Sequence, residues 1–286
     1  MKTLYLDCMS GISGDMTLAA LIDLGAEIDY IVDHLKQLPI DPFRMEVREV
    51  VKQGISSKIL ELSFDCAEDQ NLFYYNTVAG KQIHKVHTHS HENSNQSPQR
   101  SHSHDHHHSD HSHQSHNSND GHSHVQGNGN GRHGHFHRKA ADILEMIANG
   151  NLPDRVKERS MAVFEVIAAA EGKIHGMDPS EVHFHEVGAM DSIIDIIGVC
   201  LALESLGIER IIASPVPTGS GKIRIAHGLY PIPAPATAEI LTGIPLSAFD
   251  VKGELTTPTG AGFLKALAGD FGPIPGMVME RIGYGA

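Results

Sequence analysis

The chain has 286 residues, 40% of them hydrophobic, and a formal net charge of −13. That apolar share supports a sizeable core and excludes a wholly disordered protein, while the acidity speaks against non-specific binding to nucleic acid or to an anionic membrane. There is no apolar run of about 20 residues for a spanning helix, and Met1-Lys2-Thr3-Leu4-Tyr5-Leu6-Asp7 meets an acid too early for a signal peptide. The three cysteines, Cys8, Cys66 and Cys200, are odd in number and far apart. They exclude a disulfide scaffold and favour a reducing, cytoplasmic setting.

Residues 2–7 alternate as a short strand that breaks at Gly11-Ile12-Ser13-Gly14-Asp15. Met16, Ala19, Ala20 and Ile22 then recur at helical spacing up to Gly25. A second short helix spans 30–35 and ends before Pro39. Residues 44–51 and 58–64 alternate about Gln53-Gly54, which predicts a β-hairpin. Further on, helices are expected over 139–148, 153–175, 188–206, 233–241 and 258–267, several of them bounded by Pro at the start or Gly at the end. In the long one, Met161, Phe164, Ile167 and Ala168 form a core stripe rather than a cofactor site. Strands are expected over 210–213 and 278–282. The mixture predicts an α+β (mixed α/β) fold with no regular βαβ repeat.

Between residues 84 and 137 lie 17 of the 22 histidines, set among Ser, Asn, Gly and Gln. Almost no aliphatic residue occurs there, so the segment reads as a disordered, low-complexity insertion in one domain formed by 1–83 and 138–286. Outside it remain 19 basic and 31 acidic residues, so the acidity belongs to the folded part. Neutral imidazoles bind Zn, Cu, Ni and Co near pH 7. His102, His104, His106, His107, His108, His111 and His113 are the densest part of this candidate metal-collecting array. The segment by itself does not select a metal.

Four further segments carry chemistry-bearing residues. In Asp7-Cys8-Met9-Ser10-Gly11-Ile12-Ser13-Gly14-Asp15 a strand runs through a Gly-rich turn into a helix. Such a turn can offer backbone N–H groups to a phosphate, although Asp15 would repel an anion unless a cation intervened. Asp7 and Asp15 could instead hold a hard cation, or Ser13 and Asp15 could simply cap the helix. The spacing matches neither a P-loop nor a dinucleotide fingerprint. In the second segment, 183–195, His183 and His185 would share one face of an extended stretch, Glu186 follows, and Asp191 and Asp195 share a helix face at i, i+4. That set suits a divalent metal or acid–base chemistry; acids favoured at a helix start are the plainer explanation. The third, 218–228, holds Lys222, Arg224 and His227 for a phosphate or carboxylate. The fourth is Glu254-Leu255-Thr256-Thr257-Pro258-Thr259-Gly260, another polar turn at a helix start. Cys200 reads as core. Cys8 suits either a thiolate ligand or, more simply, a small buried residue.

Residues 7–16 (D-C-M-S-G-I-S-G-D-M), 183–196 (H-F-H-E-V-G-A-M-D-S-I-I-D-I), 219–236 and 254–260 (E-L-T-T-P-T-G) resemble the LarC nickel-insertion proteins, in the same order and over nearly all of the chain outside the histidine-rich segment. The resemblance implies insertion of Ni(II) into pyridinium-3,5-bisthiocarboxylic acid mononucleotide, giving the nickel-pincer cofactor of lactate racemase. It also implies use of CTP with Mn or Mg. Two thiocarboxylate sulfurs and a ring carbon would bind the nickel, which suits square-planar Ni(II). The ring C–H must lose its proton, so a base is required, with His183, His185, Glu186, Asp191 and Asp195 as the catalytic candidates. Asp7, Gly11, Gly14, Asp15, Lys222, Arg224 and His227 are the candidate nucleotide-binding residues. Members of the family continue past the Arg281-Ile282-Gly283-Tyr284-Gly285-Ala286 segment into a CTP-binding domain, so a separately supplied C-terminal polypeptide, apo lactate racemase and a homo-oligomer are the expected partners. Two other readings stay open: a nickel or zinc buffer that needs only the histidines, and a metal-dependent phosphohydrolase built on Asp7/Asp15 and His183/His185.

Overall fold

A computed structural model describes residues 1–64, 139–184, 190–225 and 228–286. The histidine-rich segment, Cys66, His185, Glu186 and His227 lie outside the described residues.

The chain opens with strand β1 (Thr3–Leu6), followed by helices α1 (Gly14–Asp23) and α2 (Ile28–Leu35). The hairpin β2 (Phe43–Lys52) and β3 (Ile55–Phe64) then forms about Gln53 and Gly54, both with positive φ, as a two-residue turn that matches strand twist requires. Ser57, Ile59, Leu60 and Leu62 of β3 are buried, and α1 packs on this strand.

Helices α3 (Ala140–Asn149) and α4 (Asp154–His175) follow. Pro153 occupies the N-cap position of α4, and Gly176 ends it in the left-handed region (φ 63°), where glycine carries no Cβ penalty. Its buried stripe runs through Val156, Val163, Phe164, Ile167 and Ala168, with Met161 half-buried. Helix α5 (Met190–Ser205) is buried all round from Ile193 to Leu203 and is the centre of the core, packed by α1, α2 and α4.

Strand β4 (Arg210–Ala213) returns beside β1. The two run parallel, pairing Thr3 with Arg210 and Leu6 with Ala213. Next come β5 (Gly219–Ser220), the hairpin β6 (Lys222–Ile225) and β7 (Gly228–Pro231), α6 (Pro235–Ile240), β8 (Gly253–Glu254), α7 (Pro258–Leu267) and β9 (Asp270–Phe271). Strand β9 completes a parallel sheet of order β1-β4-β9, and β5 pairs antiparallel with β8. The fold is thus mixed α/β with a β-hairpin, as the periodicities predict.

Two expectations change. Residues 278–282 form no strand. They are exposed along their length and pair with no strand among the described residues, whereas Asp270–Phe271 takes the edge of β4. The Gly-rich segment 218–228, read as a polar turn, carries strand at Gly219–Ser220 and Lys222–Ile225, the latter folding back on Gly228 through Pro231. The chain's last residues lie between β3 and α1: Lys58 N–H donates to the Tyr284 carbonyl (2.9 Å), Ala286 N–H to the Lys58 carbonyl (2.9 Å), and Tyr284 N–H to Asp23 Oδ2 at the end of α1 (2.9 Å). No helix among the described residues is long and apolar enough to cross a membrane.

Candidate functional site

Because β1 and β4 run parallel, the segments that follow them leave the same end of the sheet, where open α/β sheets place ligands. After β1 the chain turns sharply. Gly11 N–H donates to the Cys8 carbonyl (2.9 Å), and Cys8 N–H donates to Ser214 Oγ just beyond β4 (2.9 Å). Gly11 has φ 96°, and a Cβ there would run into the Leu255 carbonyl, so only glycine allows this approach.

The third and fourth Gly-rich segments meet the same turn. Ile12 N–H donates to the Leu255 carbonyl (3.0 Å), and Thr257 N–H donates to the Ile12 carbonyl (3.1 Å). Leu255 N–H donates to the Thr218 carbonyl (3.1 Å), and buried Thr256 fastens Oγ1 to the Pro217 carbonyl (2.7 Å). A Cβ on Gly260 would strike the Ile12 carbonyl, and one on Gly219 the Gly253 carbonyl. Three polar turns distant in sequence are therefore stitched backbone to backbone. Helix α7 starts here with Thr257 as its cap, its Oγ1 accepting from Gly260 N–H (3.1 Å).

The second segment joins through α1. Gly14, the first residue of α1, packs on the Asp195 side chain: a Cβ at Gly14 would lie 2.6 Å from Asp195 Oδ2. Asp15 follows directly. Ser13 stands at the N-cap position, yet its hydroxyl donates to Asp15 Oδ1 (2.5 Å) and makes no cap bond to a helix N–H. Asp195 is buried, and Oδ1 of both Asp191 and Asp195 is enclosed without a hydrogen-bond partner among the described residues. Burial pushes the Asp195 carboxyl well above the usual carboxylate range, and the charges of Asp15 and Asp191 push it the same way. Asp191 is raised too, chiefly by burial; backbone N–H donors of Ser192 and of Asp191 itself pull it back, and Asp15 adds to the rise.

His183 stands just before these acids. Val182 and Phe184 are buried and His183 between them is exposed, the period-two alternation of an extended stretch. The Phe184 ring lies 6.1 Å from that of Phe164 on α4, and each of these buried rings contributes about 1.5–3 kcal/mol to holding the segment. His183 also bridges to Lys139, so its backbone is tied to the start of α3.

The remaining candidates are placed differently. Asp7 is exposed, and its charge acts on Tyr5 and Cys8. Lys222 and Arg224 are exposed on β6, in the hairpin beyond the converged turns. Burial raises the thiols of Cys8 and Cys200 to about 12 each, as suits small buried residues. Among the described residues no three His, Cys, Asp or Glu side chains come together to hold a metal ion. Sequence reasoning missed that Asp15 belongs with Asp191 and Asp195. The adjacent Gly14, the residue that admits Asp195, was the available signal.

Fold and geometry by themselves define a mixed α/β body in which Gly-rich turns converge near buried acids at the end of a parallel sheet. The nickel insertion protein family matches residues 4–286, and the chain belongs to it. A pyridinium-3,5-bisthiocarboxylic acid mononucleotide nickel insertion protein of Staphylococcus saprophyticus is 49% identical over 282 residues, 99% of this chain and 55% of that protein. Proteins of the same name from Staphylococcus epidermidis and Geobacillus kaustophilus are 46% and 40% identical, each over 100% of this chain and 55% and 56% of their own lengths. The chain spans about half the length of these relatives. No solved structure matches it.

Proposed function

We propose that this chain binds Ni(II) and inserts it into pyridinium-3,5-bisthiocarboxylic acid mononucleotide, the substrate printed in the names of its relatives. The observation that carries the reading is the convergence of the turns at Gly11, Gly219 and Gly260 beside Asp15, Asp191 and Asp195. The glycines let the turns pack backbone to backbone, which brings the starts of α1 and α7 together beside carboxyls whose burial favours holding a proton. Gly11 and Gly14 shape the cradle. Lys222, Arg224 and His227 are the candidates for the substrate's phosphate, Arg224 in a bidentate manner. The proton of the ring carbon leaves to one of His183, His185, Glu186, Asp191 or Asp195. The histidines between 84 and 137 gather nickel for transfer to the softer sulfur and carbon donors of the substrate.

The family resemblance also implies CTP with Mn or Mg. The Gly-rich turns match no P-loop, and the described residues gather no metal-ligating trio, so no step is assigned to nucleotide on this chain. The product would serve lactate racemase. The test is reconstitution with the pyridinium substrate, Ni(II) and CTP, with and without a polypeptide supplying the other half of a relative. Nickel gain by the substrate in mass spectrometry, and activation of apo lactate racemase, are the expected results. Tight nickel binding with no transfer under either condition would instead favour a metal buffer.

A further inference from the structure

We propose that the ribbon of residues 273–282 is the docking surface for a second polypeptide, the one that makes up the remaining length of this chain's relatives. The proposal goes beyond the nickel-insertion reading and is tested apart from it.

The sequence keeps this ribbon out of the sheet. Pro273 and Pro275 carry no N–H and hold φ fixed, so the stretch after β9 cannot continue as a ladder strand. Among the described residues no backbone hydrogen bond forms from Pro273 through Glu280. Ile274, Met277, Val278, Met279 and Ile282 are all exposed, Val278 by 85% and Met279 by 55%. Exposed apolar residues scattered singly over a surface are ordinary, whereas a run of them on one segment marks an interaction site.

Both ends of the ribbon are fastened. At its start, Gly272 N–H donates to the Ala213 carbonyl (2.9 Å), and the Tyr5 hydroxyl donates to the Gly272 carbonyl (3.1 Å). At its end, Arg281 Nη1 donates to the Leu24 carbonyl (3.5 Å) and Tyr284 N–H to Asp23 Oδ2 (2.9 Å). Gly283 and Gly285 then lie directly on α1, where a Cβ would strike the Ala20 and Met16 carbonyls. Tethers at both ends hold the apolar side chains on the surface and reduce the ordering entropy that a partner must overcome.

Length and composition identify the occupant. The histidine-rich segment holds almost no aliphatic residue, so it offers nothing apolar to cover the ribbon. The relatives match this chain over 99–100% of its length, yet it covers only 54–56% of theirs. In those proteins the same body is joined to nearly as much polypeptide again, and a face shared with it is where such side chains become buried. The ribbon also starts at the right place. Tyr5 and Ala213, which hold Gly272, stand on β1 and β4 just before Asp7 and Ser214, where the converging turns begin. A polypeptide seated there stands beside the candidate site. Its contact face is apolar, and the open N–H and C=O groups of 277–280 are available to pair with one of its strands.

The test uses the full chain and the part of the Staphylococcus saprophyticus relative that it does not cover, co-expressed as separate polypeptides. Where that part does not stay soluble alone, the two are joined by a protease-cleavable linker and cut after purification. Size-exclusion chromatography with light scattering should show a complex, and amide hydrogen exchange at 277–280 should slow by about tenfold or more within it. Val278→Asp combined with Met279→Asp changes two exposed positions. It should leave the thermal transition of the isolated chain in place and weaken the complex by about 30-fold or more. No complex by either route, a complex that leaves exchange at 277–280 unchanged, or one that the double variant forms equally well overturns the docking. So does a wild-type chain that self-associates and becomes monomeric in the double variant, since the occupant is then a second copy. A complex that forms as expected but inserts no nickel leaves the docking standing and overturns the insertion reading. Nickel insertion with no docking at the ribbon does the reverse.

Discussion

Substitution of Gly14 by alanine probes the contact on which the site depends. The added Cβ would lie 2.6 Å from Asp195 Oδ2, 2.9 Å from its Cβ and 3.1 Å from its Cγ. Ordinary contact begins near 3.4 Å, so α1 or α5 must give by several tenths of an ångström. Both helices are packed, α5 on all sides, and overpacking of this kind costs about 1–3 kcal/mol. Alanine recovers at most about 1 kcal/mol of helix propensity over glycine. The net expectation is a loss of about 1–2 kcal/mol, or about 2–8 °C in Tm for a folded body of this size. Urea denaturation of Gly14→Ala, Asp195→Ala and the double variant closes a cycle. Asp195→Ala removes the Oδ2 and Cγ obstructions and leaves the one at Cβ, so the double variant should recover part of the loss, with a coupling of about 0.5–2 kcal/mol. A Gly14→Ala protein as stable as wild type, or a cycle that is additive, would refute the placement of α1 on Asp195.

Three further outcomes are expected. Asp195 holds its proton more tightly folded than unfolded, so between its ordinary value of 3.8 and its raised folded value the native state binds more protons, and stability falls as pH rises. Asp195→Asn should therefore gain on wild type progressively from about pH 4 upward, as urea midpoints at a series of pH values will show; parallel curves would contradict the raised value. Thr257→Ala removes the cap of α7 and should cost about 1 kcal/mol by the same assay, while Thr257→Ser should not. Deletion of residues 84–137 should leave the thermal transition in place and lower the number of Ni(II) ions bound in equilibrium dialysis; unchanged stoichiometry would remove the collecting role from the histidines.

Local signals were legible and long-range ones were not. The β2–β3 hairpin is written in the alternation of 44–51 and 58–64 and a Gln53-Gly54 turn, and α4 in an apolar stripe with Pro153 before it and Gly176 after it. The β1-β4-β9 sheet has strands of four, four and two residues, and Thr3 pairs with Arg210, so neither periodicity nor turn chemistry reports the partner. Residues 278–282 have the composition of a strand, but a strand is a pairing, and the edge of β4 goes to Asp270–Phe271. At the site, glycine content betrayed close backbone approach without naming what approaches. That Gly11 admits Leu255, Gly260 admits Ile12 and Gly14 admits Asp195 is tertiary information.

The three aspartates also show why identical side chains at one site need not share a duty. Asp191 and Asp195 stand one turn apart on the same face of α5, and burial raises both. Asp191 lies in the first turn, where free backbone N–H groups and the positive end of the helix dipole favour a carboxylate, and the N–H groups of Asp191 and Ser192 supply that support. Asp195 lies past the reach of those donors, with nothing to offset its burial, so it retains a proton most firmly. Asp15 reaches the same place from α1 with a hydroxyl already donated to it. Moving a carboxylate one helical turn inward converts it from a charge the helix start welcomes into an acid the interior keeps neutral.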